Sequence, residues 1–248
     1  MTSHKKNLKK VNDNLLKHYP IFLLSLFLFF ACGGSEEKTK KESEPAEEHP
    51  ETSEENALKT EEFSLDFLDS LLIVNTRQAD NLKKTLLFTK NAEYQTFGFY
   101  YDKNQSPERI AGKSLLKFDV DETGVMSVAA IGYGIGKKKF NSLKVETENN
   151  IYAETPALPE DGGNNYVSEL NGVHTRILNY THGKDGGFID FIYIYKDRPL
   201  KISYIGADVV CYSFTLTKNE KEALTKVYEL SNALLNIKDI NDKINKKD

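Results

Sequence analysis

The stretch VHTRILNYTHGKDGGFIDFIYIYKDRPLKISYIGADVVCYSFTL, residues 173–216, decides the fold. It holds four apolar, β-branched or aromatic runs: Val173–Tyr180, Phe188–Tyr195, Leu200–Gly206 and Val209–Leu216. They are separated by the turn-forming segments Thr181–Gly187, Lys196–Pro199 and Ala207–Asp208. Runs of this length and composition read as strands, and connections this short predict antiparallel neighbours. Immediately downstream, Thr217 and Glu220 have the spacing of a capping box. Leu224, Val227, Tyr228, Leu234 and Leu235 then form the apolar stripe of a helix that should end near Ile237 and pack on the sheet.

Upstream, Leu65, Leu68 and Leu72, then Ala79, Leu82 and Leu86, recur at helical spacing across Ser64–Lys90, which predicts two short helices or one broken helix. From Tyr94 the pattern turns to that of strands. Phe97, Phe99 and Tyr101 alternate, and Leu116, Phe118 and Val120 lead through Asp121-Glu122-Thr123-Gly124 into Val125–Ile131 as a hairpin. Further strands are expected at Leu143–Thr147, Ile151–Glu154 and Tyr166–Leu170. The fold class expected is α+β: a mainly antiparallel sheet, a helical segment at its N-terminal end, and a C-terminal helix packed on the sheet.

Composition divides the chain into three parts. Residues 1–20 carry Lys5, Lys6, Lys9, Lys10 and Lys17 against the single acid Asp13. The apolar run Ile21–Phe30 follows; at ten residues it is half the length a membrane-spanning helix needs. Ala31, Cys32 and Gly33-Gly34-Ser35 come next. This arrangement resembles a bacterial lipoprotein signal peptide, with Phe29 and Phe30 standing where that family usually has an aliphatic and a small residue. The resemblance implies removal of residues 1–31, lipidation of Cys32 and a membrane anchor through that lipid. A loose box of this kind is similar to those of Bacteroidota lipoproteins. Ser35-Glu36-Glu37 resembles the acidic tag that directs some of them to the outer face of the outer membrane. The location implied is the outer membrane, facing the periplasm or displayed at the surface.

Residues 33–62 contain eleven Glu and four Lys and no aromatic side chain. So little apolar surface cannot offset the entropy of ordering, so 32–62 is expected to be the lipidated cysteine and a disordered acidic tether. Residues 63–248 are expected to form a single globular domain, with 24 basic and 25 acidic side chains. That balance gives no clustered basic face for nucleic acid. Cys211 is the lone thiol there, so no internal disulfide is expected.

Motifs with chemical content are sparse, and no cofactor or metal is expected. Gly132, Gly134 and Gly136 lack the spacing of a dinucleotide loop and lead into Lys137-Lys138-Lys139, which reads better as a strand interrupted by glycines. Asp119, Asp121 and Glu122 with Gly124 crowd oxygens together, but a hairpin turn accounts for them better than the twelve-residue calcium loop. His174 and His182 are the histidines of residues 63–248 and should stand at opposite ends of one strand. His182 falls in a turn beside Asp185, and either Ser168 or Cys211 would have to supply a nucleophile.

Two functional classes remain open on the sequence. One is a non-enzymatic binding module for an envelope protein or glycan, with specificity in Thr155–Asn165 and Thr181–Gly187, segments too polar for core. The other is an extracytoplasmic hydrolase using His182 and Asp185.

Overall fold

The computed structural model of the protein describes residues 63–90, 96–160, 162–207 and 209–246. The signal segment, Cys32 and the acidic stretch lie outside the described residues. In chain order the elements are α1 (Leu65–Lys83), β1 (Leu87–Thr89), β2 (Phe99–Tyr101), a 3-10 turn (Lys103–Gln105), α2 (Pro107–Ile110), β3 (Leu115–Asp121) and β4 (Met126–Tyr133). Then follow β5 (Ser142–Thr147), β6 (Tyr152–Glu154), β7 (Asn165–Leu170), β8 (Val173–Thr181), α3 (Phe188–Ile194), β9 (Leu200–Gly206), β10 (Val209–Thr215) and α4 (Lys218–Ile244).

Among the described residues the strands form two antiparallel sheets, ordered β1-β2-β3-β4-β8-β7 and β10-β9-β5-β6. The period-2 alternation puts every second side chain of β3, β4 and β8 on one face. Register then aligns Val120 with Met126, Phe118 with Val128, Leu116 with Ala130, Val128 with Tyr180 and Ala130 with Leu178. All of these are buried. In the smaller sheet Leu143 lies opposite Tyr204 and Val145 opposite Ile202. These faces share one core with Leu224, Val227 and Leu230 of α4.

The Tyr204 side chain reaches from one sheet to the other. The hydroxyl of Tyr204, on β9, shares its proton between the carbonyl oxygens of Leu115 at 2.9 Å and Ile131 at 3.1 Å, which belong to β3 and β4. Burial in this apolar seam pushes its pKa well up, so the hydroxyl stays a donor.

The α+β class, the N-terminal helix and the C-terminal helix on the sheet are all present. The capping box forms: Thr217 Oγ1 accepts from the Glu220 amide, and the Glu220 carboxylate accepts from the Thr217 amide at 2.8 Å.

Four local expectations are corrected. Phe188–Tyr195 is not a strand. Its buried residues Phe188, Ile189, Phe191 and Ile192 have i, i+1, i+3, i+4 spacing, and residues 188–194 form α3. As a consequence β8 and β9 are not neighbours, since the chain crosses from one sheet to the other through α3. The C-terminal helix does not stop near Ile237; Ile240 is buried and carries it to Ile244. Leu235 is 39% exposed, at the rim beside the Gly124 turn, and Leu230 takes the buried place instead. Finally, Ser64–Lys90 holds one unbroken helix, which packs along α4, followed by a short edge strand.

Candidate functional site

The turn after β8 opens on Thr181, paired with Ser127 of β4, and the His182 amide donates to the Met126 carbonyl at 2.9 Å. The end of the hydrogen-bonded ladder thus fixes the backbone at His182. Three residues on, Asp185 is completely buried. Its carboxylate accepts from the Ile189 amide at 2.6 Å and the Gly183 amide at 3.1 Å. The carboxylate thus satisfies one amide in the first turn of α3, whose N-cap position is Gly187, and helps fix where the helix starts. It does not pair with His182, as the hydrolase expectation required.

The partner of His182 is Asp190, on α3, with Nε2 2.9 Å from Oδ1. The Tyr228 hydroxyl, from α4, donates to the same oxygen at 2.8 Å. The hydrogen bond to Asp190 raises the His182 pKa, with the charges of Asp190 and Asp185 adding to it and burial opposing. In turn the hydrogen bond from His182 holds Asp190 below the ordinary carboxylate value. Burial, then the Asp190 carboxylate, pushes the Tyr228 hydroxyl up. The arrangement favours an imidazolium-carboxylate pair with a neutral phenol as second donor. Tyr193 stacks on Tyr228 with ring centroids 4.0 Å apart, and the Lys196 ammonium sits 3.8 Å from the Tyr193 centroid.

The two loops expected to carry specificity meet. Gly186 has a φ of +67° and presses on the Glu154 carbonyl; a Cβ there would overlap that oxygen and lie 3.5 Å from Pro156 Cδ. Neither loop is loose. Thr155 Oγ1 accepts from the Leu143 amide at 2.9 Å, and the Leu158 amide donates to the Asn141 carbonyl at 2.8 Å. The Tyr180 hydroxyl, its pKa pushed up to about 12 by burial, bonds the carbonyls of Asn141 and Pro156 at 3.1 Å each. At the far end Asn165 accepts from the buried Arg176 guanidinium at 2.9 Å. The expectation that these segments are too polar for core is therefore corrected at Thr155, Asn165 and Asp185. All three are buried because backbone amides or a guanidinium satisfy them.

The other residues singled out from sequence go elsewhere. Ser168 pairs with Thr175, seven residues along β8 from His182, roughly 23 Å at ~3.3 Å per residue. His174 faces Glu169 at 3.5 Å across the same pair of strands. Cys211 sits on β10 at a register irregularity, its thiol toward the Val209 carbonyl. Asp121 accepts from Thr123 and Val125 to build the β3-β4 turn, Asp119 pairs with Lys117, and Glu122 pairs with Lys90. Gly136 donates to the His174 carbonyl at the start of β8. Among the described residues no group of three or more His, Cys, Asp or Glu is placed to hold a metal ion. A strand reading of Phe188–Tyr195 gives Asp190 no relation to His182; a helical reading puts it in the first turn of α3, five residues after Asp185.

No protein-family model, no curated protein and no solved structure matches this chain.

Proposed function

We propose that the chain is a lipid-anchored cell-envelope lipoprotein, held in the outer membrane through Cys32. Its folded part is a non-enzymatic binding module for an envelope protein or glycan. The signal-like pattern that ends at Cys32 supports the anchor. The approach of Gly186 to Glu154, at the end of β6, and to Pro156 carries the binding reading, because it brings two loops distant in sequence side by side. Both loops are fixed to strands by hydrogen bonds, as recognition loops on a rigid scaffold are. Beside them the His182, Asp190 and Lys196 side chains supply charge of both signs.

Photo-crosslinking residues placed at Leu158 and Lys184 in cells test this. Both positions should yield an adduct with one envelope component, and the same residue at Lys238 should not. Adducts of equal yield at all three positions, or none at either loop, would refute the assignment. Cys32→Ser should move the protein out of the membrane fraction.

A second reading, an extracytoplasmic hydrolase, draws on the His182-Asp190 bond, since a carboxylate that orients an imidazole is half of a general-base arrangement. Hydrolysis of an ester substrate, abolished by His182→Ala, would favour it.

A further inference from the structure

Away from His182, a cavity of about 570 Å³ lies between the segment carrying α2, strand β10 and the first turn of α4. Its size falls in the ~300–1,000 Å³ range of small-molecule sites.

The floor is aromatic and fixed. Tyr212 and Phe214, two residues apart on β10, share a face, with ring centroids 5.8 Å apart. Each packs edge-on against Tyr204, at 5.8 and 5.9 Å, and Tyr204 is itself pinned between the sheets.

The wall opposite is equally anchored. Buried Gln105 donates to the Leu116 carbonyl at 2.8 Å and accepts from the Phe118 amide at 2.9 Å. Buried Asp102 accepts from the Asn104 amide at 2.8 Å and from Lys226 of α4 at 2.6 Å.

Two cations line the rim, Arg109 and Lys113. Arg109 gives one bond to Asn104 Oδ1 at 2.9 Å, which orients the guanidinium and leaves its other donors for a ligand. The acid on the lining is Glu220, whose Oε2 already accepts from the Thr217 amide and hydroxyl at 2.8 and 2.7 Å.

We propose that this cavity binds a small organic anion with an aromatic body. The ring system lies on Tyr212 and Phe214, and the acid head is held by Arg109 and Lys113. An apolar floor gives such a ligand its burial, and a planar guanidinium beside an ammonium matches a carboxylate or sulfonate head. The site shares no residue with the His182 surface, so it stands or falls independently of the binding module proposed there.

Fluorescence titration of the purified protein with 8-anilinonaphthalene-1-sulfonate tests it, beside the uncharged analogue N-phenyl-1-naphthylamine. The sulfonate should bind at one saturable site, at least about tenfold tighter than the neutral amine, a difference of about 1.4 kcal/mol. The double variant Arg109→Ala/Lys113→Ala should lose about tenfold or more for the sulfonate while binding the amine as before. Tyr212→Ala should weaken both. Lys238→Ala, a control cation elsewhere on the surface, should change neither. Arg109 and Lys113 are exposed, so the thermal midpoint should hold; if the double variant unfolds, Lys113→Glu alone gives the same comparison. Equal affinity for the two probes, unaltered sulfonate binding in the charge variants, or the absence of saturable binding would each overturn the proposal.

Discussion

Asp190 Oδ1 lies 2.9 Å from His182 Nε2, and this bond ties the turn after β8 to α3. The arrangement favours the charged pair, and the sign of its pH dependence follows from both partners. The His182 pKa is raised above 6.5, so its contribution to stability is complete below about pH 6.5 and is lost as pH climbs through the folded value. Asp190 is lowered from 3.8, so its contribution is present above about pH 4 and is lost as pH falls through its folded value. Both are complete near pH 5. With the two side chains 23% and 44% exposed, solvent screening keeps the pair at no more than about 1 kcal/mol. Urea unfolding of Asp190→Asn against the parent should therefore show its larger loss at pH 5 and a smaller one at pH 9. The same difference at both values would mean that the imidazolium form plays no part.

The contact between the two loops has a test built from paired glycines. Gly183 and Gly186 both have positive φ, +82° and +67°, but a Cβ at Gly183 meets nothing within 4 Å, whereas at Gly186 it overlaps the Glu154 carbonyl. Gly183→Ala should cost about 1 to 2 kcal/mol, the left-handed backbone penalty alone. Gly186→Ala should cost about 1 to 3 kcal/mol more, since an overpacked contact adds to the same penalty. If chemical denaturation gives the two variants equal losses, the loops are not held in contact.

Much of this fold is written in local pattern. Alternation in β3 and β4, the Asp121-Gly124 turn and the Thr217/Glu220 capping box each fix an element from adjacent residues. The apolar run Phe188–Tyr195 is ambiguous for a physical reason: eight consecutive residues, all apolar or aromatic except Asp190, satisfy both a period of 2 and a period of 3.6. What decides it is the Asp185 carboxylate on the Ile189 amide, visible in sequence only if Asp185 is taken as a helix start. Misplacing that element also hid the site, since Asp190 reaches His182 only from a helix. Tyr228 was legible as a stripe residue, but its hydrogen bond to Asp190 spans 38 positions, and no local pattern encodes such a contact.

The face of α4 divides sharply along its length. Leu224 is fully buried against the sheet, while Leu235, on nearly the same helical azimuth, lies at the rim. Leu224→Ala should cost about 2 to 5 kcal/mol, the range for emptying a packed core site. Leu235→Ala should cost less than about 1 kcal/mol, because little apolar surface leaves the core. Comparable losses in equilibrium unfolding would show that the helix buries Leu235 in solution.

At the end of the seam beside Leu115 and Ile131, the sheets are joined by the Tyr204 hydroxyl. Tyr204→Phe keeps the ring, its contacts with Phe140, Tyr212 and Phe214, and the packing volume, so the change isolates the bonds to the Leu115 and Ile131 carbonyls. Those acceptors lie opposite each other at one end of the β3-β4 pair. Without the hydroxyl at least one buried carbonyl loses a donor, a loss of about 1 to 3 kcal/mol. The cost should appear as a lower denaturation midpoint with an unchanged slope against urea, since the surface exposed on unfolding stays the same. Hydrogen exchange should quicken first at the end of β3-β4 that carries Leu115 and Ile131, where the sheets are joined, and not in the β3-β4 turn at the opposite end. A variant as stable as the parent would show that the Tyr204 hydroxyl adds nothing to the packing that joins the two sheets.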